Sequence, residues 1–374
     1  MGGRTGRRLC IVSDTLRGGL GGAVRVQAEW FARRGWSVVL VAPADGDAPE
    51  GPTSWVPLAP VGSARHPLEV ARAVRSLRSW WRMERATVDT LGAEQGPVVH
   101  VHGMRSLLLA RLAGIPTPFV TVHGTGPDPG DPGGYDRLRR AWLGFVPRLA
   151  ERAVTVEPGY GSGWIYEPHA SPLLGSLDVL PFPDPDSVPT IGWLGLLDQR
   201  KQPEVFVKAI ADVAASGVAI RGLLGGTGPR ADEIAALVTE LGAPVDLLGQ
   251  TDPVDLLRRS WGLALFARSE GTPLAVMEAM WAGRSVVGSP LPGIAHLVGG
   301  TGSLTGSVEG AAAAFRGLLT DHSTAERKGR DAAARIRTLV RRGDPWPATE
   351  AAYLAHLEQR AAGSGAGMGA ASRR

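Results

Sequence analysis

The residues with the clearest chemical potential are two glutamates in one short apolar stretch, Glu270 and Glu278. Thr272 and Pro273, which lie between them, are typical of an N-cap and a first helical residue, and Gly283 is typical of a helix end. The pattern predicts Glu270 on the loop that enters a helix and Glu278 inside that helix, among Ala, Val, Met and Trp side chains.

A carboxylate inside so apolar a helix needs hydrogen-bonding partners, because its burial otherwise costs several kcal/mol. The hydroxyls of a bound ribose are suitable donors, and the free backbone amides at residues 272–274 suit a phosphate group at the helix N-terminus. In the alternative interpretation, Glu278 pairs with an arginine from elsewhere in the core. The residues alone thus indicate either a nucleotide site or a buried ion pair.

The elements that must position these residues form an α/β pattern, in which short apolar runs alternate with helical periodicity. Strands are predicted at residues 9–12, 36–41, 97–102, 118–123, 190–194, 220–224, 245–248, 263–267 and 285–289, and helices near 204–215 and 232–241. A turn is predicted at the glycine cluster Gly18, Gly19, Gly21 and Gly22. Because ligands bind beyond the carboxyl ends of parallel strands, we expect the chemistry at those ends.

The chain of 374 residues is long enough for two α/β domains. The first domain is predicted over residues 1–180, a proline-rich linker over 181–188 and the second domain over 189–340. A helix over 341–360 is predicted to pack back on the first domain, and residues 361–374, rich in Gly, Ala and Ser, are predicted to form a disordered tail.

Composition excludes several classes of protein. A net charge of +4 with scattered arginines disfavours a dedicated nucleic-acid-binding protein, although it would help to attract an anionic nucleotide. Cys10 is the only cysteine, which excludes a disulfide framework and a thiolate zinc site. The apolar runs are too short for a signal peptide or a membrane span, so we expect a cytoplasmic protein.

Three histidines lie at the ends of two predicted strands, at His100, His102 and His123. His100 and His102 alternate along one strand and share a face, as a metal-binding pair would. Because no third ligand is in sight, we predict no metal. For His123, the residues alone leave open a structural hydrogen-bonding role and a role in the site.

Glu270 and Glu278, with the intervening Gly-x-Pro-Leu and the following Ala-Met-x-Ala-Gly and Val-Val, resemble the paired-glutamate signature of retaining glycosyltransferases of family four, the glycogen synthase and sucrose synthase type. The resemblance spans nearly the whole chain, since the N-terminal glycines, the His-x-His-Gly and His-Gly-Thr strand ends and a lysine segment also match. It implies the GT-B fold, an α/β architecture of two Rossmann-like domains whose parallel sheets face each other across a cleft. The donor would lie mainly against the second domain and the acceptor mainly against the first.

The resemblance also implies roles for the matching residues. His123 and Glu270 would contact the transferred sugar or the surroundings of its leaving group, and Lys201 would bind the diphosphate. Glu278 would hold the ribose. The other residues that would contact the donor are Gly271, Thr272, Pro273, Leu274, Arg200, Gly225, Gly226, Gly228, Gly19 and Gly21. From the residues alone, the glycines are also explained as turns, and Lys201 with Arg200 as a solvated pair at a helix start.

The sequence departs from the family at two places. Leu196 stands where the family has an arginine that helps to neutralise the leaving diphosphate, and the nearby Arg200 is the candidate to replace it. The usual Asn-Gly-Val-Asp is missing at residues 179–182. Both departures favour the alternative of a catalytically silent GT-B partner. A nucleotide-sugar epimerase is a further alternative, although the paired glutamates favour transfer.

The expected reaction moves a sugar from a nucleotide-diphosphate sugar to an unidentified acceptor, which is a small molecule, a glycan or a lipid. The resemblance implies retention of anomeric configuration by front-face attack, in which the departing diphosphate takes the acceptor proton. We expect neither a metal nor a cofactor other than the donor. The domains are expected to close about the linker prolines and to exclude water.

A basic helical stretch is predicted between residues 72 and 85. Its five arginines recur at helical spacing, at Arg72, Arg75, Arg78, Arg82 and Arg85, and an apolar face contains Val70, Val74, Leu77 and Trp81. A basic amphipathic helix with Trp80 and Trp81 can lie on an anionic bilayer, which would place the protein on the inner membrane face. The alternative is a helix that packs on its own sheet with a solvated arginine face.

Overall fold

The computed structural model describes residues 7–16, 18–46, 53–58, 67–90, 96–123, 143–156, 163–167, 171, 174, 177–340 and 346–371. The chain divides into two compact units. Unit 1 consists of Met1–His123, Arg137–Ala170 and Gly343–Arg374, and unit 2 of Gly124–Asp136 and Ser171–Arg342. Unit 2 therefore resumes at Ser171, ahead of the linker predicted at 181–188.

Unit 1 contains a parallel sheet whose described strands lie in the order β3-β2-β1-β4-β5-β6-β7. Its strands are β1 (Arg8–Ser13), β2 (Ser37–Pro43), β3 (Ser54–Leu58), β4 (Val98–His102), β5 (Phe119–Val122), β6 (Ala153–Thr155) and β7 (Ile165–Tyr166). Its described helices are α1 (Gly18–Arg33), α2 (Pro67–Thr90), α3 (Gly103–Leu112), α4 (143–149) and α12 (Pro347–Ala371). The central strands are continuous apolar runs because both faces of a parallel sheet are buried.

Helix α12 packs against the other elements of unit 1. Tyr353 is fully buried in the cluster that also holds Phe31 and Trp346. Glu350 accepts hydrogen bonds from Trp36 Nε1 at 3.1 Å and from Arg34 Nε at 2.8 Å. The helix continues to Ala371, which differs from the disordered tail predicted from residue 361.

Unit 2 contains a second parallel sheet, with the described order β10-β9-β8-β11-β12-β13. Its strands are β8 (Thr190–Leu194), β9 (Arg221–Gly225), β10 (Val245–Gly249), β11 (Gly262–Leu265), β12 (Ser285–Gly288) and β13 (Ser303–Leu304). Its described helices are α5 (Pro203–Ala215), α6 (Ala231–Leu241), α7 (Pro253–Arg258), α8 (Leu274–Trp281), α9 (Pro292–Val298), α10 (Val308–Leu318) and α11 (His322–Leu339). The order places β8 beside β11, so the loops that follow these two strands are neighbours.

The core of unit 2 contains a charged side chain, Arg284, that is fully buried at the start of β12. Its Nε donates to Leu257 O at 2.9 Å, and its Nη2 donates to Pro181 O at 2.6 Å. Its Nη1 donates to Leu180 O at 3.3 Å and to two further carbonyls nearby. The guanidinium thus fixes the chain at residues 180–181 to the core of unit 2.

Candidate functional site

Glu270 lies at the carboxyl end of the sheet of unit 2, on the loop after β11. Its Oε2 accepts hydrogen bonds from Arg200 Nη1, at 2.9 Å, and from Lys201 Nζ, both on the loop after β8. The two loops are also joined through the backbone, since Arg268 N donates to Arg200 O at 2.8 Å. The structure therefore brings together three of the residues that the sequence analysis singled out.

The charge of Glu270 is balanced by these two cations. Burial alone would raise the pKa of Glu270, but the charges and hydrogen bonds of Lys201 and Arg200 lower it below the ordinary value. Glu270 is therefore a carboxylate at neutral pH. The two cations expected at a diphosphate are held by Glu270 in this structure.

Glu278 is buried on helix α8, as the sequence predicts, with 7% of its surface exposed. One of its oxygens, Oε1, accepts a hydrogen bond from Ser171 Oγ at 2.5 Å. No described arginine or lysine forms an ion pair with Glu278. Among the described residues, the alternative of a buried ion pair is therefore excluded. Burial raises the pKa of Glu278, and the Ser171 hydrogen bond only partly opposes this.

Helix α8 begins one residue later than the sequence predicts. Pro273, rather than Thr272, is the N-cap, and Leu274, rather than Pro273, is the first helical residue. Proline at the cap has no side chain that accepts hydrogen bonds, so no described side chain caps the helix. The first amides of α8 therefore keep their capacity to bind an anion.

Gly271, on the loop before α8, is buried beside α9, where a Cβ on Gly293 would lie 1.5 Å from the Gly271 carbonyl oxygen.

The glycine loop after β9 approaches the chain's own backbone. A Cβ on Gly226 would lie 1.8 Å from Gly195 O, and a Cβ on Gly228 would lie 2.5 Å from Leu197 O. A Cβ on Gly225 would lie 2.5 Å from the Thr251 side chain. The close packing alone accounts for these glycines, so a nucleotide is not needed to explain them.

A cavity of about 460 Å³ lies at the starts of α5 and α6, and the sequence analysis did not point to it. Its lining residues are Gln199, Glu204, Pro229, Arg230, Glu233 and Arg268. Arg230 is held by Glu204 at 2.7 Å and by Glu233 at 2.8 Å, so its charge is balanced within the protein. Arg268, from the loop that carries Glu270, forms no side-chain hydrogen bond with a described residue and is a cation that the sequence analysis missed.

In unit 1, the histidines form a stacked set at the ends of β4 and β5. The ring centroids of His100 and His102 are 4.9 Å apart, and those of His102 and His123 are 5.0 Å apart. The nitrogens of His100 are hydrogen-bonded to Thr121 Oγ1 and Tyr353 Oη. Those of His102 face His123 and Gln27. Among the described residues, no group of three His, Cys, Asp or Glu side chains is placed to hold a metal ion.

The N-terminal glycines begin helix α1, and the turn predicted at Gly18 to Gly22 is wrong. Gly21 is buried, and a Cβ there would lie 1.8 Å from the Leu16 carbonyl oxygen. Gly21 is therefore required for packing, whereas Gly19 is exposed. The contact of Gly19 and Gly21 with a donor stays a prediction.

The sequence of both units matches models of known families. Residues 188–321 match the model for glycosyl transferases group 1, and residues 18–162 match that for the glycosyl transferase 4-like domain. The chain is a GT-B glycosyltransferase. No curated protein sequence matches it.

Solved structures share the fold of this glycosyltransferase at low sequence identity. Sucrose-phosphate synthase from Thermosynechococcus elongatus has 18% identity and a TM-score of 0.69, with 89% of this chain and 94% of that chain covered. HepE from Anabaena, in complex with UDP and glucose, has 16% identity and a TM-score of 0.66, covering 88% and 94%. A mutant of TarM from S. aureus, in complex with UDP and other ligands, has 10% identity and a TM-score of 0.68, covering 94% and 99%. The predicted GT-B fold is thereby confirmed.

Leu196, which stands at the position of the family arginine, is 50% exposed in this glycosyltransferase. Arg200, the expected replacement, is 41% exposed and bonded to Glu270 and to Ser269 O. Among the described residues, Arg200 and Lys201 are the cations paired with Glu270, and Arg268 lies on the adjacent loop.

Helix α2 of the glycosyltransferase packs on its sheet with both tryptophans inward. Trp80 and Trp81 are 5% and 6% exposed, so neither is placed to enter a bilayer. The five arginines of the stretch are exposed. Within the described residues, no helix has both the length and the apolar character needed to cross a membrane.

Proposed function

We propose that this glycosyltransferase takes its sugar from a nucleotide-diphosphate sugar that binds to unit 2. The observation that carries the proposal is the burial of Glu278 with a neutral serine hydroxyl, and no described cation, as its partner. Among the described residues, one neutral hydroxyl is the donor to this buried carboxylate, and ribose hydroxyls would supply further donors. Burial raises the pKa of Glu278, and the hydrogen bond from Ser171 opposes that shift only in part.

Uridine nucleotides are the first donors to test. Solved structures with this fold include complexes with UDP and with UDP-glucose. Within this chain, the first amides of α8 suit the diphosphate, as do the charges of Lys201 and Arg200. Binding would then exchange the Glu270 carboxylate for phosphate oxygens as a partner of these two cations.

We also propose that the transfer retains the anomeric configuration and needs no metal. The bond between the anomeric carbon and the phosphate oxygen breaks, the acceptor oxygen bonds on the same face, and its proton passes to the departing phosphate. Lys201 and Arg200 stabilise the charge that develops on that phosphate. Glu270, kept ionised by the two cations, is suited to stabilise positive charge on the sugar rather than to donate a proton.

A catalytically silent nucleotide-sugar-binding protein is the second candidate, and the exposed Leu196 in place of an arginine favours it. The two candidates differ in turnover. Donor hydrolysis or transfer that is lost in Glu270→Ala would identify an enzyme, whereas tight nucleotide binding without turnover of any donor would identify a silent protein.

The first prediction concerns Glu278→Gln and is tested by thermal melting with UDP, GDP, ADP, TDP and their sugars, in the presence of EDTA. A ligand that binds only the folded protein raises its melting temperature. In the variant, the affinity for that nucleotide should fall about tenfold to hundredfold, as expected when a charged hydrogen-bond acceptor is lost. Without nucleotide, the variant should be at least as stable as the wild type, because the buried charge is removed.

The pH dependence of nucleotide affinity also tests whether Glu278 binds the ribose. The pKa of Glu278 is raised by burial, whereas ribose donors favour the carboxylate, so nucleotide affinity should fall as the pH drops through that raised pKa. Glu278→Gln should lack this pH dependence. The control is Glu240→Gln, an exposed glutamate on α6. Equal affinity of Glu278→Gln and the wild type would place the nucleotide elsewhere.

We propose, second, that the exposed face of α2 contacts an anionic membrane surface. Arg78 donates to Leu112 O, but Arg72, Arg75, Arg82 and Arg85 form no ion pair with a described residue. On α11, by contrast, exposed arginines are paired along the helix, as in Arg327 with Asp331 and Arg330 with Glu326. Unpaired positive charge along one face is what an anionic surface attracts.

Co-sedimentation with vesicles tests this surface. The protein should bind phosphatidylcholine vesicles that contain phosphatidylglycerol at low salt, and not vesicles of phosphatidylcholine alone. Each arginine near such a surface contributes about 1 kcal/mol, so the double variant Arg75→Gln, Arg82→Gln should bind at least tenfold more weakly. The matched control is Arg327→Gln, Arg330→Gln on α11. No binding by the wild type would leave the arginines as a solvated face.

A further inference from the structure

The cavity at the starts of α5 and α6 lies within unit 2, and we call it the α5/α6 cavity. Its volume of about 460 Å³ is within the range of about 300–1,000 Å³ that small-molecule pockets have. None of its lining residues belongs to the set that the donor is proposed to contact: Gln199, Glu204, Pro229, Arg230, Glu233 and Arg268. The cavity therefore has side chains of its own to offer a ligand.

Arg268 differs from the other described cations near the cavity, because it has no carboxylate partner. Arg200 and Lys201 both pair with Glu270, and Arg230 pairs with two carboxylates. The side chain of Arg268 is partly buried and forms no hydrogen bond or ion pair with a described residue. Within the described part of the chain, its guanidinium keeps its donors for a ligand.

The carboxylates that line the cavity are held by Arg230. Both oxygens of Glu233 accept from it, at 2.8 and 2.5 Å, whereas Glu204 accepts only through Oε2, at 2.7 Å. No described donor reaches Glu204 Oε1. This oxygen can accept from a ligand hydroxyl, and the side-chain amide of Gln199 can donate or accept. The cavity thus combines a cation with groups that suit neutral hydroxyls.

Backbone hydrogen bonds join the loops around the cavity. Arg230 N donates to Leu197 O at 3.0 Å, and Leu197 N donates to Thr227 O at 2.9 Å, so the loops after β8 and β9 are held together. Arg268 N donates to Arg200 O at 2.8 Å, which joins the loop after β11 to the loop after β8. The cavity is therefore preformed, and a ligand that enters it need not order these loops.

We propose that the α5/α6 cavity is a second ligand site of unit 2, which binds a small molecule with one anionic group and several hydroxyls. The anionic group is a phosphate or a carboxylate and pairs with Arg268, whose planar guanidinium offers two parallel donors to either. A hydroxyl of the ligand donates to Glu204 Oε1. The site requires no nucleotide, so it goes beyond the proposed function and does not rest on it.

Calorimetric titration with three forms of one sugar tests the site. Galactose 6-phosphate, galacturonate and galactose differ only at carbon 6, in a phosphate, a carboxylate or a hydroxyl. At least one of the two anionic sugars should bind at least tenfold more tightly than galactose, and the tighter one identifies the anionic group. Inorganic phosphate, which lacks the sugar hydroxyls, should bind more weakly than galactose 6-phosphate. Equal affinity for the three sugars, or no binding of either anionic sugar, would overturn the proposal.

The role of Arg268 is tested with the tighter of the two anionic sugars. Its affinity should fall about tenfold to hundredfold in Arg268→Gln, as expected when a charged hydrogen-bond donor is lost, and by less in Arg268→Lys. Arg259→Gln is the matched control, since Arg259 is another exposed arginine without a described partner but lies outside the cavity lining. Melting curves without ligand should show that all three variants fold. Unchanged affinity in Arg268→Gln would remove the basis of the site.

Two further results separate this site from the donor site. Saturating UDP should not displace the anionic sugar, and Lys201→Met should bind that sugar as the wild type does. Displacement by UDP, or loss of binding in Lys201→Met, would assign the anion to the cations around Glu270 and reject the second site. If no nucleotide binds but the sugar binds through Arg268, the proposed function fails and the site in the cavity stands.

Discussion

Arg284→Met should destabilise unit 2 by about 3–5 kcal/mol, the range found when one partner of a buried charged network is removed. The guanidinium is fully buried, and the carbonyls of Leu257 and Pro181 would lose their donor. Methionine fills much of the same volume, so the loss would come from unsatisfied carbonyls rather than from a large cavity. The urea midpoint of unit 2 measures the change.

Arg284→Lys separates charge from geometry. Lysine keeps a positive charge but lacks the forked donors that reach both Leu257 O and Pro181 O, so an intermediate loss is expected. Arg316→Met is the control, because Arg316 is 37% exposed and its pair with Asp212 should contribute at most about 1 kcal/mol. If Arg284→Met and Arg316→Met lowered the midpoint equally, the carbonyl network would have no special importance.

The central elements of both sheets could be predicted from the sequence because their apolar runs are continuous. Strands β8 to β12 lie within a few residues of their predicted positions. The strands that the sequence analysis missed lie at or near sheet edges: β3, β6, β7 and β13. Edge strands are half-covered, and β6, β7 and β13 have only two or three residues each, which are too few to show a period of two.

The glycines show a second limit of sequence patterns. Gly18 to Gly22 have the composition of a turn, yet they begin helix α1. Residue 21 must be glycine because a side chain there would collide with Leu16 O. A glycine needed for close packing and a glycine needed for a turn have the same one-letter signature. The distinction depends on a neighbour that the local sequence does not identify.

Within the candidate site, the sequence predicted residue types better than their partners. Glu270, Glu278 and Lys201 follow from motif spacing, and the structure brings Glu270 and Lys201 together. The contacts of Ser171 with Glu278 and of Gln27 with His102 join residues far apart in the chain. Neither belongs to a motif, so only the folded arrangement shows them.

Lys201→Met should lower kcat about a hundredfold to a thousandfold, the effect of removing one preorganised group that stabilises developing negative charge. The Lys201 side chain is 12% exposed and its ammonium lies against Glu270, so the group is held in place before a donor binds. Single-turnover rates with the donor found by the melting panel measure the effect. Lys208→Met, an exposed position on α5, is the control and should behave as the wild type.

Because Glu270 pairs with Lys201, replacing Glu270 should have opposite effects on turnover and on diphosphate binding. If the diphosphate takes over the two cations, Glu270 competes with it, so Glu270→Gln should bind the nucleoside diphosphate more tightly while losing turnover. In that background, Lys201→Met should still weaken diphosphate binding and leave the affinity for the free nucleoside unchanged. If Lys201 serves only as the partner of Glu270, the double variant should bind the diphosphate as tightly as Glu270→Gln alone. Calorimetric titration of the four proteins thus decides whether Lys201 binds phosphate or merely neutralises a carboxylate.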